Sequence, residues 1–195
     1  MGKLLKYTQF INESSNTSIS IGEFIDSINH DGMLGKNKQS AIDWWDTNRG
    51  GVNINLFEFN SPHPIVGCAI SLDTVAMNMN MVGRMPSEII LFILIHESKH
   101  LDQASNSEFD DGYFQTIVNG DTDGFVEYYM KSEKEANQYA ENAMNVIGFN
   151  GTMAKYQLNR NEDIGAAAET YSMMKKDIEA TNATSLFDLI KSQIY

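Results

Sequence analysis

His96, Glu97 and His100 are the residues of this chain whose types and spacing best suit chemistry. They stand in His96-Glu97-Ser98-Lys99-His100, directly after the apolar run Ile89-Ile90-Leu91-Phe92-Ile93-Leu94-Ile95. On a helix, side chains at i and i+4 project from one face about one turn apart. That spacing lets both imidazoles reach a single tetrahedral Zn²⁺. Glu97, beside the first ligand, is placed to take a proton from a water that the metal activates. The chemistry expected is hydrolysis with Glu97 as general base and one zinc ion per chain. The plainer reading is two histidines and a surface glutamate on an ordinary helix. The apolar run weighs against it, because unsatisfied polar groups at the end of a buried helix are costly.

A catalytic zinc needs a third protein ligand and an open position. The other histidines, His30 and His63, both precede the motif in loop-like contexts. The third ligand is therefore expected from a carboxylate downstream, in Ser132-Glu133-Lys134-Glu135-Ala136-Asn137-Gln138-Tyr139-Ala140. Glu133 and Glu135 lie about 200° apart around a helix, so they cannot both face one ion. Ala136, Ala140, Ala143 and Ile147 mark an apolar stripe whose centre is about 50° from Glu133 and about 110° from Glu135. Glu133 is favoured, with Glu135 as its rival. Asn137, one turn after Glu133, is placed to orient a liganding histidine. Hydrolysis also needs an oxyanion stabiliser. Tyr113, Tyr128, Tyr129 and His63 are the candidates, each of a type more often structural.

These groups need elements to hold them. Pro86 and Glu88 suit the start of a helix, and the pattern predicts one over 86–104, apolar all round and hence central. A second helix is expected over 127–147. Before the motif, Val52, Ile54 and Leu56 alternate with Asn53 and Asn55, the period of a half-buried strand. Residues 65–72 read as another strand. Residues 75–81 read as a third, with Met77, Met79 and Met81 on one face as core packing. Ser61–Pro64 is a turn. Helices are expected at 21–30, at 39–47 with Trp44 and Trp45, at 161–179 and at 184–194. Residues 105–126, rich in Asn, Asp, Ser and Gly, read mostly as loop. The fold class is α+β, one domain over 21–195 behind a flexible segment 1–20.

Composition excludes several roles. With 14 basic and 26 acidic residues, net charge −12, the chain is ill suited to neutralising phosphates, so nucleic acid is not an expected partner. No apolar run approaches a membrane span, and no secretory signal is recognisable. The lone Cys68 allows no intrachain disulfide, and its apolar context predicts a buried thiol.

At the two motifs a family resemblance enters. His96-Glu97-x-x-His100 followed by Glu133-x-x-Ala136-Asn137 resembles the gluzincin metallopeptidases, in which a Glu on a later helix is the third zinc ligand. With Tyr139-Ala140 it resembles the small minigluzincin-type and phage-repressor-cleaving families. The resemblance covers about residues 75–145. It implies a zincin-like fold, a small mixed sheet packed on the active-site helix, an edge strand that aligns substrate, and a protein or peptide substrate. Ser98 and Lys99 depart from the apolar or small residues frequent there, and no downstream Gly-x-x-His of metzincins follows. A non-catalytic protein of the same fold and a hydrolase of a non-peptide substrate are the alternatives.

Two further signals are weaker. Asn119–Glu127 resembles the first nine positions of a calcium loop, but Met130 stands where the closing acid belongs; a polar turn is the simpler reading. Lys6-Tyr7-Thr8-Gln9-Phe10-Ile11-Asn12-Glu13-Ser14 resembles the capsid-targeting peptides of internal head proteins in large contractile-tailed phages. That resemblance implies cleavage after Glu13 and a location in the virion interior or the host cytoplasm.

Overall fold

A computed structural model describes residues 18–57, 65–105, 107–185 and 187–189. The segment Lys6–Ser14, the turn at 61–64, His63 and most of the helix expected at 184–194 lie outside the described residues. Of the stretch 1–20, Ser18–Ile19 forms strand β1. Ser20 caps helix α1, Ile21–Ile28, through a capping box with Glu23. Helix α2, Lys38–Arg49, follows and buries Trp45, while Trp44 packs edge-on against Tyr139.

Strands β2 (Asn53–Phe57), β3 (Gly67–Ala69) and β4 (Thr74–Asn78) complete a four-stranded sheet in the order β1-β2-β4-β3. It is mixed: β2 and β4 run parallel, and the two outer pairs are antiparallel. β3 is shorter than the expected 65–72. β4 is buried along its length, so it lies at the heart of the fold. The third strand expected over 75–81 stops at Asn78, and Met79–Val82 is a short helix, α3. The reason is local: the Asn78 side chain accepts the Asn80 N–H at 3.0 Å, offering the backbone a cap in place of a ladder. Met77 and Met79 are core residues; Met81, off the strand, is half-buried.

Helix α4, Ser87–Ala104, carries the motif. Asp31 caps it from outside, accepting the Ser87 N–H at 3.0 Å and its hydroxyl at 2.5 Å. Ile90, Leu91, Phe92, Leu94 and Ile95 are almost wholly buried. α4 packs on the sheet and on a later long helix, as its all-round apolar sequence requires. After it, residues 107–118 are helix α5, Ser107–Val118, and not the expected loop. The polar composition hid a helical stripe, Tyr113, Phe114 and Ile117. Gly112 lets α5 approach its neighbour closely, since a Cβ there would lie 2.9 Å from the Tyr128 ring.

Helix α6, Thr122–Ile147, starts five residues earlier than expected because Asp121 caps it, accepting the Gly124 N–H at 2.9 Å. The calcium-like stretch is thus a helix start: 122–127 are helical and the Asp121 carboxylate is spent on the cap. Gly148, with φ at 109°, closes α6 in the left-handed conformation that glycine permits. Helices α7 (Thr152–Tyr156) and α8 (Ile164–Thr181) follow, and residues 187–189 are helical as well. The protein is α+β. Among the described residues, no helix is long and apolar enough to cross a membrane.

Candidate metal centre

Helix geometry fixes the first two groups. His96 and His100, one turn apart on α4, turn toward α6, and their Nε2 atoms stand 3.0 Å apart. Glu133 projects from the α6 face that buries Ala136, Ala140, Ala143 and Ile147. Its Oε2 lies 3.4 Å from His96 Nε2 and its Oε1 3.5 Å from His100 Nε2. These three residues are close enough to bind a metal ion. Donor atoms about 2.0–2.1 Å from a tetrahedral zinc stand about 3.3–3.4 Å from one another. The observed separations of 3.0–3.5 Å match that figure, so the donor set fits such an ion.

Glu135 does not join them. It is exposed and accepts a hydrogen bond from Gln103 Nε2 at 3.3 Å. The apolar stripe of α6 separated the two glutamates as the helical angles required.

The centre opens into a cavity of about 600 Å³. Glu97, Tyr113, Tyr129, Gln103 and Asn161 line it with the three metal-facing residues, and apolar walls come from β3, α4 and α8. Glu97 meets the cavity but lies deep in it. Burial pushes its carboxyl up to about 8, reinforced by the Glu133 charge and opposed by the His96 charge and the Ala69 N–H. Burial alone would raise Glu133 too, but its hydrogen bond with His96, the two histidine charges and Asn161 hold it below the usual carboxylate range. Burial opposes a charge on His96, yet Glu133 and Glu97 together raise its pKa, with Asn137 beside it adding to the effect. His96 Nδ1 itself is buried without a well-aligned hydrogen bond. In His100 burial prevails and the pKa falls.

Neither family models, nor curated proteins, nor solved structures match this chain. The site therefore rests on its own geometry.

Asn137 donates to Asn161 and Glu162 at 3.0 and 2.8 Å. Asn161 in turn donates to Glu133 Oε2. Of the oxyanion candidates, Tyr113 and Tyr129 line the cavity and Tyr128 does not. Burial raises both phenols, Tyr129 to about 12, so both keep their proton and can donate it in a hydrogen bond. Cys68, expected buried, is half-buried on β3 and lines the cavity; burial and the Glu97 charge push its thiol up, which keeps it unreactive.

Two residues at the centre escaped the sequence reading. Gln103 sits one turn after His100 and accepts from its Nδ1 at 2.6 Å; the i+3 spacing was the available signal. Asn161 comes from the turn between α7 and α8, and nothing in its surroundings marks it.

Proposed function

We propose that this protein is a zinc metallopeptidase of the gluzincin type, with His96, His100 and Glu133 as ligands and Glu97 as general base. The observation that carries the proposal is the convergence of three donor atoms on one point of a cavity that Glu97 also lines. A zinc ion bound there would supply Lewis acidity to a scissile carbonyl and lower the pKa of the attacking water. Glu97, pushed up to about 8, holds the abstracted proton near neutral pH and passes it to the leaving amine. Tyr113 and Tyr129 offer hydrogen bonds to the developing oxyanion.

A peptide substrate is favoured by β3. The Ile70 N–H donates to the Thr74 carbonyl and the Asn78 N–H to the Val66 carbonyl. Antiparallel alternation then turns the N–H and C=O groups of Gly67 and Ala69 away from β4. Among the described residues no strand pairs with that outer edge. The Ala69 N–H is taken by Glu97, and the remaining groups suit an extended peptide lying along the cavity wall. Such an edge beside the motif helix accords with a zincin-like fold. A protein that only bound zinc for structure would have no use for a buried, proton-holding Glu97, which favours catalysis over the non-catalytic alternative.

Metal analysis tests the proposal. Wild-type protein reconstituted with zinc should hold about one ion per chain, and His96→Ala and Glu133→Ala should lose it. Wild type that stays metal-free sinks the reading. Packaging in a phage virion is a separate part of the proposal, resting on Lys6–Ser14. Mass spectrometry of virions should find a chain beginning at Ser14; a chain there retaining Met1 removes it.

A further inference from the structure

We infer that Gln103 and Glu135 are positioning residues that fix which nitrogen of His100 faces the metal centre. The inference rests on the three-ligand site proposed above, and it gives Glu135 a role other than ligand.

The side-chain amide of Gln103 is almost wholly buried and has polar neighbours on both sides. Its Oε1 accepts from the Ser132 hydroxyl at 2.8 Å and faces His100 Nδ1 at 2.6 Å. Its Nε2 donates to the Ser132 carbonyl at 3.1 Å and to the Glu135 carboxylate at 3.3 Å. The opposite orientation of the amide would set an oxygen against a carbonyl and a carboxylate, two acceptors with no proton to share. Glu135 and the Ser132 carbonyl therefore hold the amide one way round. Oε1 can only accept, so His100 must carry its proton on Nδ1. The Nε2 lone pair is left facing His96 Nε2 and Glu133, where a metal ligand needs it. The Ser132 hydroxyl, 3.3 Å from His100 Nδ1, seats the same oxygen from the side. One short helical relay thus runs from an exposed carboxylate on α6 through a glutamine on α4 to a liganding ring.

Long-range ¹H–¹⁵N spectra of the histidine rings in metal-free protein at pH 8 read the tautomer directly. Wild type should show His100 protonated on Nδ1. Gln103→Met, which keeps the volume and removes the acceptor, should shift His100 toward the Nε2-protonated form. In competition with a chromophoric chelator, the same variant should bind zinc about 10–100-fold more weakly. The double variant Gln103→Glu with Glu135→Gln keeps an acceptor toward His100 and a donor at 135, and should return His100 to the Nδ1-protonated form even though it loses the bond to the Ser132 carbonyl; a role in packing alone would give no such rescue. Glu135→Ala, at an exposed position that tolerates change, should weaken zinc binding in the same direction but less. A wild-type His100 protonated on Nε2 overturns the inference. So does a Gln103→Met or Glu135→Ala protein with unchanged tautomer and affinity. Wild type that binds no zinc would remove the proposed function, and the ring tautomer would still decide this inference separately.

Discussion

Helix α4 carries two carboxylates shielded from water, Glu88 in its first turn and the half-buried Glu97 seven residues before its end, and the two are treated in opposite ways. Near the N-terminus, Glu88 is 3% exposed. It accepts from the Thr152 hydroxyl at 2.8 Å, Lys155 Nζ at 2.7 Å and the Tyr156 hydroxyl at 3.2 Å. Those donors all come from α7, so this carboxylate ties a short helix to the core. Farther along the helix, Glu97 has the Ala69 N–H and otherwise the cavity, and its pKa climbs to about 8. A buried charge that serves structure is surrounded by donors. Glu97, the proposed general base, is left short of them, and the fold carries that cost. The same helix and the same residue type thus give a fastened carboxylate in the first turn and, farther along, one that faces the cavity with its pKa raised.

The sharpest way to break the comparison is to neutralise each carboxylate in turn. Glu97→Gln should keep zinc and fold yet lose peptide hydrolysis by about 10²–10⁴-fold, the usual share of a general base. Turnover close to wild type would make Glu97 as structural as Glu88. Glu88→Ala should do the reverse. Losing hydrogen bonds to a buried charge costs about 2–4 kcal/mol, or roughly 5–15 °C in melting temperature for a chain of this size. Zinc affinity should hold. A Glu88→Ala protein that melts like wild type but loses metal would undo the division of labour.

The surroundings of the two carboxylates also differ in legibility. The pentapeptide and the choice of Glu133 over Glu135 could be read because helical angles translate directly into faces. The α4 helix and strands β2 and β4 could be read because apolar spacing states their burial. α5 is hard to read because Ser107, Asp110, Asp111 and Gly112 crowd its first half. The end of β4 was missed because an asparagine cap interrupts a pattern that otherwise continues. Glu88 was read only as a partner for the helix terminus. Its buried cluster depends on α7, some 64 residues away, and a contact of that kind leaves no local periodicity. Gln103 and Asn161 escaped for the same reason: they act through partners on other elements.

A comparable effect tests Glu97 through pH, in zinc-free protein. The folded-state pKa of Glu97 is raised from 4.5 to about 8, so between those values the folded chain holds a proton that the unfolded chain has lost. Its contribution is fully present below pH 4.5 and is lost as pH rises through about 8. Glu97→Gln cannot lose that proton. Its melting temperature should therefore gain progressively on wild type as pH rises across this range, by on the order of 10 °C. A difference between the two proteins that stays constant with pH would mean that Glu97 is ionised throughout, as a well-paired carboxylate would be. The smallest effect belongs to Glu88. Tyr156→Phe removes one donor of three from Glu88 and should cost about 1 kcal/mol, a shift of roughly 2–4 °C by thermal melting. The loss is small because Thr152 and Lys155 remain. If it instead matched Glu88→Ala, the phenol alone would be holding the carboxylate, and the contrast with Glu97 would rest on one bond rather than on a filled shell.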